Sequence, residues 1–260
     1  MSKLFEELDY RTTPLGDLFL RRRRHMGLDA DIYEIKLGND FLMSSMFTAS
    51  ELALGRLGVE RALSQQQRAR PDAAHLQPTL NVVVGGLGLG YTAAAVLESE
   101  ATSTLCVVEY LEPVIEWHRQ GLLPTSLQLT EDARCSFLQG DFFALAVSAE
   151  GFDPVQPGRR YDAILVDIDH SPEQWLNPGN ESFYHSDGLR RMKGHLNPGG
   201  VFGLWSNEPA DPEFTQRLAT VFGAAYAEAV VFHNPLQNRD FAQSVYIATA
   251  EPNDGSPYME

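Results

Sequence analysis

The sequence predicts an α/β fold, with a parallel, doubly wound sheet that ends in an antiparallel hairpin and follows a small N-terminal antiparallel β-unit. Three observations predict it. From Leu80 onward, short apolar runs alternate with segments of helical character, the pattern of a parallel sheet covered on both faces. Near the end, "AEAVVFHN" and "AQSVYIATA" read as two strands with no helix between them, which makes them a hairpin at one sheet edge. Before Leu80, "LGDLFLRRRR", "DADIYEIKL" and "DFLMSS" alternate polar and apolar residues, with Gly38-Asn39 as a turn.

Taken in order, residues 1–65 form the β-unit and a linking helix, "TASELALGRLGVERAL", with Thr48 or Ser50 as its cap. The polar, proline-bounded stretch "SQQQRARPDAAHLQP" reads as a loop, so 66–79 joins the two zones. The α/β domain spans 80–250, with strands near 80–85, 104–109, 136–139, 161–167 and 200–205. Its helices are expected near 90–99, 112–119, 181–195 and 211–222, and 251–260 reads as a flexible tail. The "RRRRH" run at 21–25 is expected at an exposed strand end. Cys106 and Cys135 fall within strands and form no C-x-x-C pair, so they read as packing residues of a reduced, cytoplasmic protein.

A chain of 260 residues that is 43% hydrophobic can bury a proper core. Its net charge of −15 argues against nucleic acid, because binding there gains from a basic face. No run approaches the roughly 20 apolar residues of a membrane span, and "MSKLFEELDY" lacks the apolar core of a signal peptide. The histidines, among them His25, His75, His118, His195 and His233, have no metal-ligand spacing. His118 reads as a helix-surface residue, and no metal is expected.

Ligands of open α/β sheets sit beyond the carboxyl ends of the strands, so those ends are the places to inspect. The first strand runs into "GGLGLG", where Gly85, Gly86, Gly88 and Gly90 let a ligand approach the main chain. The dinucleotide fingerprint G-x-G-x-x-G would need glycine where Tyr91 stands. The chain spells G-x-G-x-G instead, which suits a nucleoside without a pyrophosphate. The second strand ends at Glu109-Tyr110, about 20 residues on, where an acid can accept from both ribose hydroxyls. Gly140-Asp141 ends the third and offers a carboxylate to an adenine amino group. The fourth ends at Asp167, followed by Asp169 and His170. These make a cation-attracting wall with a group able to take a proton. Tyr184 opens the next helix, and Trp205 and Glu208 follow the fifth strand; all three are candidates to line an acceptor pocket.

The pieces "VVVGGLGLG", "VVEYLEPVIE", "GDFFALA", "YDAILVD", "ESFYHSDGLRRMKGHLNPGGVF" and "LWSNEPADPEF" together resemble the spermidine synthase (polyamine aminopropyltransferase) group. That group belongs to the Rossmann-like class I S-adenosylmethionine-dependent methyltransferase fold. The resemblance covers Val82 to Ala248 and implies a sulfonium donor, S-adenosylmethionine or its decarboxylated form. It also implies a small acceptor, an amine, and allows a homodimer.

The departures bear on the reaction. The group carries G-G-G-D-G-G at the first turn, and here Gly88 takes the place of the aspartate that holds the aminopropyl ammonium. Its D-S-S/T-D-P segment is matched by Asp167 alone, with His170 near the second aspartate in a segment one residue longer. Its Tyr-His-Glu is replaced by "LMSSMF". The donor half is therefore expected to survive and the polyamine half to be altered. Methyl transfer is favoured over aminopropyl transfer, with a non-catalytic nucleoside-binding protein as the alternative of a different class. A nicotinamide oxidoreductase is disfavoured by Tyr91 and the terminal hairpin.

Overall fold

The computed structural model describes residues 4–69 and 79–251. The joining segment 70–78 and the tail 252–260, both read from sequence as irregular, lie outside the described residues.

Four strands, β1 (Phe5–Thr13), β2 (Gly16–His25), β3 (Ala30–Leu37) and β4 (Asp40–Ser44), form an antiparallel meander. The arginine run occupies the second half of β2 and is tied to acids on both neighbours. Arg22 reaches Glu6 at 2.6 Å on one side and Arg23 reaches Glu34 at 2.7 Å on the other. Its charge is spent on cross-strand pairs rather than left as an anion patch.

The second sheet has seven strands, in the order β10-β11-β9-β8-β5-β6-β7. These are β5 (Leu80–Gly85), β6 (Thr102–Glu109), β7 (Cys135–Gln139), β8 (Tyr161–Val166), β9 (Leu196–Ser206), β10 (Gly223–Asn234) and β11 (Arg239–Ala250). β7, β6, β5, β8 and β9 are parallel, and β11 lies antiparallel to both β9 and β10, which gives the expected hairpin. Strand alternation sorts the core into two layers. Val82, Val84, Leu105 and Leu165 face one side, with Leu54 and Val96 above them. Val83, Ile164 and Val166 face the other, against Leu189, Phe214 and Phe222. A parallel sheet buried on both faces needs such continuous apolar strands.

The helices are α1 (Ala49–Ala69), α2 (Tyr91–Leu97), α3 (Glu112–Arg119), α4 (Ser126–Thr130), α5 (Phe142–Val147), α6 (Ser186–Lys193) and α7 (Pro212–Phe222). Three outcomes differ from expectation. First, α1 continues to Ala69, through residues assigned to the loop, because Gln65 to Arg68 are adequate helix formers and the breaker, Pro71, comes later. Second, the helix expected over 181–195 is divided. A 3₁₀ turn (Pro178–Tyr184) gives way at the extended His185 to α6. Third, α4 and α5 are too short to leave a periodic signal.

His118, expected on the helix surface, is fully buried. Its Nε2 meets the Gly88 carbonyl at 2.9 Å and its ring leans on Phe137. Polar neighbours in "EPVIEWHRQ" concealed that α3 turns this position inward. Cys106 and Cys135 are half-buried free thiols, pushed up by burial to about 11 and about 12. No helix among the described residues is long and apolar enough to cross a membrane.

Candidate active site

A cavity of about 460 Å³ opens at the carboxyl edge of the parallel strands. Its floor is the set of strand ends, and its roof is the N-terminal sheet. The turn after β5 is pinned on both sides, with Gly86 N donating to the Val108 carbonyl at 2.9 Å and Asp167 N to the Gly85 carbonyl at 2.8 Å. At Gly86 (φ +93°) a Cβ would lie 2.1 Å from the Asp167 carbonyl, so only glycine lets β5 and β8 end side by side. At Gly88 (φ +46°) a Cβ would meet the Met43 sulfur at 2.8 Å. The roof therefore rests on the turn itself, and Leu89 N donates to that sulfur at 3.0 Å.

Each acid of the floor is held by its own partners. Glu109 is buried and accepts from Leu87 N at 3.0 Å and Leu111 N at 2.7 Å, which fixes the glycine turn to the end of β6. Burial pushes its carboxyl up, and the backbone donors oppose that rise. Asp141 caps α5, with Oδ1 accepting from Phe143 N and Ala144 N. Its Oδ2 is not needed for the cap. Leu87, Val108, Leu111, Phe142 and Phe143 supply apolar walls between these two acids. The cavity thus combines apolar walls with the carboxyls of Glu109 and Asp141.

Asp167 lines the cavity at the end of β8 and accepts from Thr92 Oγ1 at 2.6 Å. Facing it is Glu51, from the first turn of α1. Burial raises both carboxyls, to about 6 for Asp167 and about 7 for Glu51, and the Asp167 charge adds to the rise at Glu51. α1 comes this close because Gly55 and Gly58 carry no side chain. Cβ atoms there would sit 2.6 Å from Ala95 Cβ and 2.4 Å from Leu165 Cδ2.

Of the residues singled out in the sequence, Gly86, Gly88, Glu109, Tyr110, Gly140, Asp141, Asp167, His170 and Trp205 line this one cavity. The others lie off it. Gly85 leaves room for the Phe142 ring beneath, and Gly90 is pressed against Thr125 and His118. Asp169, expected on the acceptor wall, is only 1% exposed. It accepts from Leu176 N at 2.7 Å, from Asn180 Nδ2 and from the Tyr184 hydroxyl at 2.8 Å, and so organises the loop after β8. Tyr184 is accordingly a buried brace, not a wall of the pocket. Glu208 is exposed and does not line this cavity. Sequence reasoning missed Glu51, Met43, Asn207 and Gln243. Glu51 had a signal, an acid in the first turn of an otherwise apolar helix face, but the same pattern marks an ordinary N-terminal charge.

No family model matches the chain, and no curated protein matches it. Solved structures do. A spermidine synthase in complex with the transition-state analogue AdoDATO superposes with a TM-score of 0.68 at 14% identity, over 94% of this chain and 74% of that one. The Thermotoga maritima spermidine synthase gives 0.65, also at 14% identity, over 94% and 72%. Human methyltransferase-like protein 13 in complex with SAH gives 0.51 at 18% identity, over 80% and 82%. The chain has the spermidine synthase-like class I methyltransferase fold. The likeness to the two spermidine synthases spans 94% of this chain.

Proposed function

We propose that the protein transfers an alkyl group from an S-adenosyl sulfonium donor to a small amine. One observation carries this reading: the turn after β5, Glu109, Asp141 and Asp167 open onto a single cavity whose acceptor end holds a second carboxyl, Glu51. Leu87 to Phe143 would hold the adenine, Glu109 the ribose hydroxyls and Asp141 Oδ2 the adenine amino group. The donor supplies an electrophilic carbon attached to sulfur, and the residues of this chain orient it and handle the proton. An amine must lose a proton before its lone pair can attack, and Asp167 is placed to take it.

The transferred group is read as methyl. Beside Gly88, where an aspartate would hold an aminopropyl ammonium, stands the Met43 thioether, and Leu42 and Ile35 also line the cavity. Aminopropyl transfer is the second reading, favoured by a different observation. Among the described residues the cavity lining includes Glu51, Glu109, Asp141 and Asp167 but no lysine or arginine to pair with the carboxylate of the intact donor. Incubation with each donor and a panel of small amines, with products followed by mass spectrometry, separates the two. A methylated amine from the intact donor supports the first, and an aminopropylated amine from the decarboxylated donor supports the second. Binding of 5′-methylthioadenosine without turnover of either donor would mark a non-catalytic binder, and failure to bind it would remove the nucleoside site.

A further inference from the structure

Glu51 belongs to no strand end, and the fold likeness gives it no role. It is 6% exposed, and its neighbours can be counted proton by proton. Ser50 Oγ accepts from Trp205 Nε1 at 2.8 Å. The same oxygen lies 2.8 Å from Glu51 Oε2 and 2.6 Å from Gln243 Oε1. Gln243 Nε2 donates to Asn207 Oδ1 at 2.8 Å, which leaves Gln243 Oε1 as an acceptor. A hydroxyl has one proton to give. With Glu51 ionised, Ser50 would face two acceptors and satisfy one, inside a buried site where an unmet acceptor is costly. A proton on Glu51 Oε2 completes the chain, from Glu51 to Ser50, Ser50 to Gln243 and Gln243 to Asn207. At Asp167 the counting differs. Thr92 Oγ1 donates to Asp167 Oδ2 at 2.6 Å. Its other acceptor, the Glu51 carbonyl at 3.2 Å, lies in the first turn of α1, where helix amides supply it, so an ionised Asp167 leaves no acceptor unmet.

We propose that Glu51 and Asp167 form a one-proton pair with the proton held by Glu51, so that the acceptor end of the cavity presents a single negative charge on Asp167. Asp167 is the charge that acts on Glu51, and the Tyr91 hydroxyl on α2 is the other titratable group that feels Glu51. Ser50, Trp205 and Gln243, from α1, β9 and β11, face it as neutral groups. Two like charges this close in a buried site do not both ionise at neutral pH.

The consequence for catalysis rests on the function proposed above. A single charge draws in an ammonium, R–NH₃⁺, without clamping it between two carboxylates. One proton passes to Asp167, which becomes the neutral acid. The freed nitrogen lone pair forms the C–N bond while the C–S bond breaks toward sulfur, leaving a thioether and an alkylated ammonium. The proton on Asp167 leaves to water with the product. Glu51 acts through Asp167 and is a positioning residue.

Infrared difference spectroscopy across roughly pH 5 to 9 tests the pair without any substrate. The wild type should show a buried protonated carboxyl that titrates near 7, absent from Glu51→Gln and titrating lower in Asp167→Asn, where the charge that helps to raise it is gone. The glutamine amide can donate to Ser50 in place of the acid, so the variant keeps the chain of bonds. The proposal falls if the band survives Glu51→Gln, or if Asp167→Asn alone removes it. Should Glu51→Gln not fold, carbon NMR of wild-type protein labelled at glutamate carboxyls decides the point. A buried glutamate titrating near 7 that persists in Glu109→Gln supports the pair, and titration of every glutamate below about 5 overturns it. Calorimetry with 1,4-diaminobutane reads the consequence separately. The amine should bind without releasing the Glu51 proton, so its affinity should follow the same pH course in the wild type and in Glu51→Gln between roughly pH 6 and 7. A wild-type rise of up to about tenfold per pH unit that Glu51→Gln lacks would mean that binding expels this proton and that two charges clamp the amine. An intact infrared signature with no diamine binding would leave the pair standing and remove the amine reading.

Discussion

The two ends of the cavity are built on different principles. At the donor end every acid is held by backbone close to it in sequence or across one strand. Asp141 caps the helix that follows it, and Glu109 binds Leu111 N two residues on and Leu87 N in the turn after the neighbouring strand. At the acceptor end the network joins elements distant in sequence, with Ser50 bonded to Trp205 and to Gln243. The donor end rests on the parallel sheet and the helices that follow its strands, whereas the acceptor end also needs α1 and the terminal hairpin. A difference of this kind predicts that substitutions at the two ends separate binding from turnover.

The largest separation is expected at Asp167→Asn. The change is nearly isosteric and should leave folding and 5′-methylthioadenosine binding within about twofold. Turnover of an accepted amine should fall on the order of 10²–10⁴, the usual contribution of a general base. Normal turnover in the folded variant would move the proton acceptor elsewhere, with His170 the next cavity-lining group to test.

Glu109→Ala should do the reverse, acting on binding and on stability together. It removes the proposed ribose contacts and leaves Leu87 N and Leu111 N without their acceptor, each orphaned buried donor costing about 1–3 kcal/mol. Nucleoside affinity should drop by about one to two decades by calorimetry, as charge-assisted bonds of about 1.5–3 kcal/mol are lost with partial compensation. The melting temperature should drop as well. Unchanged affinity would remove Glu109 from the ribose site and leave it as a brace of the turn.

The same division explains what could be read in the sequence. Strand periodicity and the glycine turn made the sheet legible, and the rule that ligands meet strand ends found Glu109, Asp141 and Asp167. Asp169 obeyed that rule and still does not line the cavity. Two residues past Asp167, its carboxylate takes Tyr184, Asn180 and Leu176 N as partners, and the loop folds around it. Nothing local distinguishes an acid that faces a ligand from one that organises a loop. Glu51 failed in the opposite way. Its role depends on Gly55 and Gly58 allowing α1 down onto α2 and β8, a contact with no trace in the spacing of α1 itself. His118 was misplaced for a related reason. The partner of its Nε2, the Gly88 carbonyl, lies 30 residues away.

A smaller effect should come from Trp205→Phe, which removes the donor to Ser50 Oγ but keeps most of the aromatic surface. Loss of one such bond is worth about 1 kcal/mol, so amine affinity should weaken by up to about tenfold while 5′-methylthioadenosine binding stays unchanged. Equal losses for both ligands in calorimetry would show that the two ends are one cooperative unit and break the comparison.

The last expected effect lies behind the donor end, at His118, and acts on stability and not on either ligand. Burial pushes its imidazole down to about 4, so the folded protein keeps it neutral where an unfolded chain, near 6.5, binds a proton. The unfolded state therefore holds more protons between those values. Stability is fully present above about 6.5 and is lost as pH falls toward 4, by up to about 3 kcal/mol for a shift of this size. In His118→Gln the side-chain amide can still donate to the Gly88 carbonyl, but nothing titrates. The variant should be less stable than the wild type at neutral pH, because it loses the ring contact with Phe137. That gap should narrow steadily in urea titrations from about pH 6.5 down to 4.5, since only the wild type pays the protonation penalty. A gap independent of pH would mean that the ring is already charged or reaches water, and the carbonyl at the centre of the glycine turn would then be held less firmly than its neighbours at Glu109.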